Sequence, residues 1–493
     1  MKLISAASAL LLAYLVWASR AWPLIHDAPL MHYIAWLIEQ GAVPYRDAFD
    51  MNLPGAYLLH LAVLQVGGPG DLAWRLFDLA WLAATAVLLW VYCRPMSDAV
   101  AAGAGAVLFG LYHLSGGVWR AGQRDFLLCL FLLAGAYGVA RGLEQPDGRL
   151  ALLTGGLALG AGMTVKPHAG LFWLLCAAVA IAGARATGSP AWRAGALVLG
   201  GGLVMPALVF GWLAGRGGLA PFAAVLTGYV LPLYSQAGRV SVLAATRWHA
   251  WGRATFGLLA ALGLLGLRAS ARPWSPRLVL AALGALYGAA HFALQGKGWE
   301  YQLYPLALFL CALAPAAVAR GGPAPVAWRI GLGGARRAVA LAAWVLLVVV
   351  LGAKGVEARA PAWIAAKADR VAALTRALAP LVRPGETVQV LDTTGGGIHA
   401  LLRLGLRQPT RFIYDFHFFH HADDPRIRAL RAELVTGLAA HPPAAVVVLE
   451  ESWPELGYDR LAAFPELARL LETSFPLALT GPGYRIYAKR SDS

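Results

Sequence analysis

The chain has 493 residues, of which 59% are hydrophobic and 14% charged, with 41 Lys/Arg against 26 Asp/Glu. Soluble domains hold about a quarter charged residues and about half apolar ones, so these proportions exclude an ordinary soluble enzyme and predict an integral membrane protein. Residues 1–352 carry 24 Lys/Arg and 11 Asp/Glu while residues 353–493 carry 17 and 15, so the positive excess belongs to the membrane-like part, and the nearly neutral tail lacks the basic stripe that nucleic acid requires.

In chain order, residues 3–19 behind Lys2 predict an uncleaved signal-anchor, because many further spans follow. Those are expected near 72–92, 97–112, 126–140, 150–164, 170–184, 194–214, 254–268, 277–293, 303–319 and 338–353, about eleven in all. Alternate short loops carry Arg94, Arg141 and Arg149, then Arg185, Arg193, Arg268, Arg272 and Arg277, and finally Arg320, Arg329, Arg336 and Arg337. By the positive-inside rule that side is cytoplasmic. The opposite loops hold most of the acids, Asp27, Glu39, Asp47, Asp50, Asp71, Asp125 and Glu300, and an odd span count then places them and the tail outside the cytoplasm. Cys93, Cys129, Cys176 and Cys311 lie in or beside apolar runs, so they read as small core residues rather than a disulfide or zinc framework.

The loop at 20–71 is the most acidic part of the membrane domain. Asp27 can cap a helix running to about Gln40, which would lie in the interface with His32 and Glu39 toward water. Arg46 with Asp47 and Asp50 after it reads as a surface salt-bridge cluster, and Asn52-Leu53-Pro54-Gly55 restarts a short helix. Arg120 to Asp125 precedes the fourth span, and an acid at the mouth of a membrane helix must be paired or functional. Thr164-Val165-Lys166-Pro167-His168 falls between the fifth and sixth spans and Gln295-Gly296-Lys297-Gly298-Trp299-Glu300-Tyr301 precedes the tenth; lysines there are point charges suited to phosphate, next to residues that let backbone approach a ligand. Segment 215–252, with Tyr229, Tyr234, Arg239, Arg247, Trp248 and His249, suits either a polyprenyl-phosphate entrance or an interfacial aromatic belt.

From residue 354 the composition becomes that of an α/β domain. Strands are expected at 387–392, 411–416 and 444–450 and in Gly483–Arg490, with helices at 360–383, 397–405, 424–440 and 459–471. Asp392-Thr-Thr-Gly-Gly-Gly397 reads as a tight turn, and His417, His420, His421, Asp423 and Asp424 as a solvated loop rather than a metal site.

The stretch Pro44-Tyr45-Arg46-Asp47 followed by Asn52-Leu53-Pro54, with Arg124-Asp125, Lys166-Pro167 and Lys297-Gly298-Trp299-Glu300-Tyr301 in that order, resembles the GT-C superfamily of membrane glycosyltransferases over residues 1–352. Within it the chain looks most like the protein mannosyltransferase and aminoarabinose transferase branch. The resemblance implies a polytopic α-helical membrane protein with a C-terminal extracytoplasmic α/β domain in a bacterial inner membrane. It also implies inverting transfer of a sugar from a polyprenyl-phosphate donor to an envelope lipid, polysaccharide or protein, with neither metal nor cofactor. By position, Asp27 is the general base and Asp125 holds a substrate sugar. Lys166 and Lys297, with Arg46, meet the phosphate, and Arg124, His168, Glu300 and Tyr301 complete substrate binding. The chain has Ala28 where relatives often carry a second acid, and Asn52 where aminoarabinose-type relatives carry lysine. Two rival readings are a secondary transporter and a non-catalytic lipid-binding subunit.

Overall fold

The computed structural model describes residues 1–245, 247, 250–269, 275–319 and 332–489; Trp248, His249, Arg272, Arg320 and Arg329 lie outside them. The chain forms two compact units. The first comprises Met1–Trp22, Arg75–Val209 and Arg239–Ala360; the second comprises Pro23–Trp74, Phe210–Gly238 and Pro361–Ser493.

Helices cover all eleven expected spans, and the chain is a mostly helical multi-span membrane protein. Among the described residues seven helical segments are long and apolar enough to cross a membrane, from Asp71–Cys93 to Gly334–Leu378. Lys2–Ala18, Ala99–Ser115 and Arg149–Val165 are apolar but shorter, and Ala250–Ala269, also helical, carries Arg253 and Arg268. Glycine sets the closest packing in the first unit. A Cβ on Gly138 would meet Gly155 Cα at 2.6 Å, and one on Gly160 would meet Gly202 carbonyl oxygen at 2.5 Å. Such small-residue contacts hold membrane helices together where lipid removes the usual hydrophobic drive.

The apolar interior of this unit also contains a closed ionic network. Asp78 is fully buried and paired with Arg75; it lies 3.0 Å from His113 Nε2 and accepts the Gly122 amide at 2.8 Å. Tyr304 hydroxyl stands 2.8 Å from His113 Nδ1. Ionisable groups at membrane depth are tolerated when paired in this way. All four cysteines are free and buried, as their apolar settings predict.

In the second unit a four-stranded sheet has the order β1-β2-β4-β3, with β1 Val388–Leu391, β2 Ala445–Leu449, β3 Leu477–Gly481 and β4 Tyr484–Ala488. β1 and β2 are parallel and wholly buried, and β4 and β3 continue antiparallel, consistent with parallel strands being covered on both faces. Two expectations fail here. Segment 411–416 is not a strand: the β1 edge is occupied by side chains, Gln408 accepting the Val390 amide at 2.8 Å, so only an isolated bridge from Phe412 to Phe49 forms. The helix expected at 459–471 becomes a 3₁₀ turn at Gly457–Leu461 and a helix at Pro465–Ser474, because proline favours a first turn and disrupts a helix interior.

The turn after β1 is built on Asp392, whose carboxylate accepts the amides of Gly395, Gly396 and Gly397 and so opens helix Gly397–Leu404. Asp392→Ala is expected to lower stability by roughly 1–3 kcal/mol, the cost of buried donors left unmet, read as a fall in the thermal midpoint of the purified protein. An unchanged midpoint would show that other groups satisfy these amides.

Candidate active site

In the first unit Asp125 stands in the first turn of helix Arg124–Glu144 and is fully buried. One oxygen lies 2.6 Å from His291 Nε2 and the other 3.1 Å from Lys166 Nζ. Lys166 ends helix Arg149–Val165, where Pro167 forbids continuation, and its amine also donates to Gln295 Oε1 at 2.9 Å. His291 and Gln295, one turn apart on helix Pro276–Gln295, present the same face. Gln302 Nε2 donates to Gln295 Oε1 at 3.1 Å, and the His168 ring meets His291 edge-on with centroids 5.4 Å apart. Burial, then the neighbouring His291 and Lys166, lower the His168 pKa to about 4, so its ring is neutral near pH 7. The predicted Asp125, Lys166 and His168 therefore come together, with Lys166 a cationic partner of Asp125.

The same unit also holds a cavity of about 450 Å³. Lys297, Glu300, Lys354, Arg247, Trp119 and Trp299 are among its walls. Glu300 is shared by Arg120 and by Lys354, whose Nζ lies 2.7 Å away, while Tyr301 is buried and packs against Trp299. The left-handed Gly296 and Gly298 shape the turn that carries Lys297. Burial, with Arg239 adding to it, pushes the Lys297 amine down to about 8.

Sequence patterns missed His291, Gln302 and Lys354, and gave Gln295 a place in its motif without a role. His291 was detectable as a lone ionisable residue within an apolar run, itself a signal of function; Lys354 reads as an ordinary helix-end cation.

The second unit holds Asp27 and Arg46. Asp27 is the first residue of helix Asp27–Glu39, and the cap position belongs to His26, with backbone φ of 53°. This corrects the expectation that Asp27 itself caps. His32 does not face water as expected: it is fully buried with its Nδ1 2.7 Å from His60 Nδ1, and the exposed end of the helix is at Glu39. Arg46 forms an exposed pair with Asp47 at 2.7 Å. Asp50 belongs to a different setting, buried and bonded to Asn52 and to the Tyr57 hydroxyl at 2.5 Å. In the same unit His417 is buried beside the Tyr229 hydroxyl at 2.6 Å, not solvated. Among the described residues no group of acids, histidines and cysteines has metal-binding geometry.

The chain has the fold of the GT-C superfamily of membrane glycosyltransferases. Residues 53–210 match the family model described as dolichyl-phosphate-mannose-protein mannosyltransferase. ArnT from Cupriavidus metallidurans bound to undecaprenyl phosphate aligns over 99% of this chain and 98% of its own, with TM-score 0.62 and 14% identity. The Archaeoglobus fulgidus oligosaccharyltransferase tethered with an acceptor peptide aligns over 99% and 74%, with TM-score 0.52 and 14% identity. The arabinofuranosyltransferase AftD from Mycobacteria aligns over 98% and 41%, with TM-score 0.50 and 16% identity. No curated protein sequence matches the chain.

Proposed function

We propose that this protein transfers a sugar, with inversion, from a polyprenyl-phosphate donor to an extracytoplasmic lipid, polysaccharide or protein acceptor in a bacterial inner membrane. The observation that carries the reading is the buried Asp125–Lys166–His291 cluster, in the same unit as a cavity whose described walls bear Lys297, Lys354 and Arg247 against one acid, Glu300. A negatively charged lipid phosphate fits that balance, and fixed cations stabilise charge developing on a leaving phosphate. Asp125 holds a sugar hydroxyl, with Lys166 and His291 fixing its carboxylate. Asp27 takes the proton from the acceptor hydroxyl as general base. The outer domain stands on the extracytoplasmic side. The likeness in fold to a protein solved with undecaprenyl phosphate supports the choice of donor.

The phosphate site is tested with a polyprenyl phosphate methyl ester, which keeps one negative charge from pH 7 to 9. Lys297 is charged below about 8 and neutral above it, so affinity is expected to fall as pH rises, by up to about tenfold between pH 7 and 9. In Lys297→Met the affinity should be weak and flat across that range. A pH response equal to wild type in this variant would remove Lys297 from the phosphate site.

A further inference from the structure

Asp27 opens its helix from a segment that is held under backbone strain. His26, immediately before it, has φ 53° and ψ −120°, a conformation that a residue with a Cβ rarely adopts. Such a geometry persists only where the surroundings over-determine it. Within the second unit those surroundings come largely from the outer α/β domain. The His26 ring is buried against Trp363, with centroids 5.4 Å apart. Two residues earlier, the Leu24 amide donates to Asp71 Oδ1 at 3.2 Å. The same Asp71 oxygen lies 3.2 Å from His399 Nε2, and the other accepts from Arg403 at 2.9 Å. His399 and Arg403 sit one turn apart on helix Gly397–Leu404, the helix that Asp392 opens. The far side of the Asp27 helix is tied to the same domain: Tyr33 hydroxyl donates to Leu406 carbonyl at 3.0 Å and Arg407 to Gln40 carbonyl at 3.2 Å.

We infer that helix Gly397–Leu404 of the outer domain is a positioning element for the proposed general base, with His399 and Arg403 gripping Asp71 so that Asp71 holds Leu24 and fixes where Asp27 starts its helix. This deepens the transfer reading and rests on Asp27 as base. The outer domain is then a necessary part of the catalytic loop rather than an appended module. His399 and Arg403 touch no reacting atom; they act through Asp71 and the backbone. A general base displaced by about 1 Å loses on the order of 10²-fold in rate, so loosening this grip should appear in turnover more than in donor affinity.

The test uses the full chain in detergent and reads two quantities. Amide hydrogen exchange is followed across residues 24–40, with residues 126–140 of the first unit as reference. Turnover and KM are measured for a polyprenyl-phosphate sugar. In His399→Ala/Arg403→Ala, exchange over 24–40 should rise roughly tenfold with the reference unchanged, reflecting local opening. Turnover should fall roughly tenfold or more with KM within about twofold. His399→Gln/Arg403→Lys, which keeps donors at both positions, should restore both readings. Wild-type exchange in the alanine variant, or no recovery in the conservative one, overturns the inference. Should the alanine variant not fold, Asp71→Asn decides: it keeps an acceptor for Leu24 but loses the ion pairs, and wild-type exchange over 24–40 in that variant overturns the inference, whereas faster exchange supports it. Exchange is read without substrate, so a wild type that consumes no lipid-linked sugar defeats the transfer reading and leaves the grip itself standing.

Discussion

Replacing Asp27 by asparagine is expected to cut sugar transfer by about 10²-fold or more while leaving the protein folded and able to bind its lipid donor. Asparagine matches the shape of aspartate but cannot accept a proton at catalytic pH, and general-base contributions are typically of this order. Asp27 is half-exposed in the first turn of a helix whose cap position belongs to His26, so this nearly isosteric change should leave the fold intact. Parallel measurement of thermal midpoint, donor binding and turnover separates the outcomes. Lost turnover with intact binding supports the assignment, and unchanged turnover removes Asp27 from its role.

The second large effect concerns Asp125. Its carboxylate is fully buried between Lys166 and His291, so Asp125→Ala leaves the mostly buried Lys166 ammonium without its counter-charge. Breaking a buried pair from one side costs roughly 3–5 kcal/mol, whereas neutralising both partners together can cost little. Asp125→Ala is therefore expected to lower thermal stability severely, while Asp125→Asn/Lys166→Gln should recover most of the stability and none of the transfer activity. That split distinguishes a substrate-holding carboxylate from a purely structural one. Full activity in the stable double variant would make the cluster architectural.

Much of this arrangement was legible in the chain. Apolar runs located the helices, because a membrane span must bury every backbone group within itself and so declares its position by composition. Asp125 and Lys166 were visible as charges at span mouths, but their pairing was not, since it depends on two helices brought together by glycine contacts such as Gly138 against Gly155. The alternation in Arg411–Phe416 suggested a strand, yet Gln408 already occupies the edge of β1 that it would have joined. β3 was missed because Leu477–Gly481 is short and mostly exposed, leaving little periodicity to detect. The sequence of the helix after Asp27 reads as amphipathic with a wet face at His32; the fold covers that face with His60 and Trp74, and the neighbouring Tyr33 face with Leu406. Burial on two sides by distant segments leaves no local pattern.

Consumption of a lipid-linked sugar is the most direct test of the proposed transfer. Purified wild-type protein, supplied with radiolabelled polyprenyl-phosphate sugars and an envelope extract containing lipid, polysaccharide and protein acceptors, is expected to release polyprenyl phosphate from at least one donor. The transferred sugar should carry the inverted anomeric configuration, and Asp27→Asn should release almost none. Folded wild-type protein that releases polyprenyl phosphate from no donor, or that transfers the sugar with retained configuration, would contradict it.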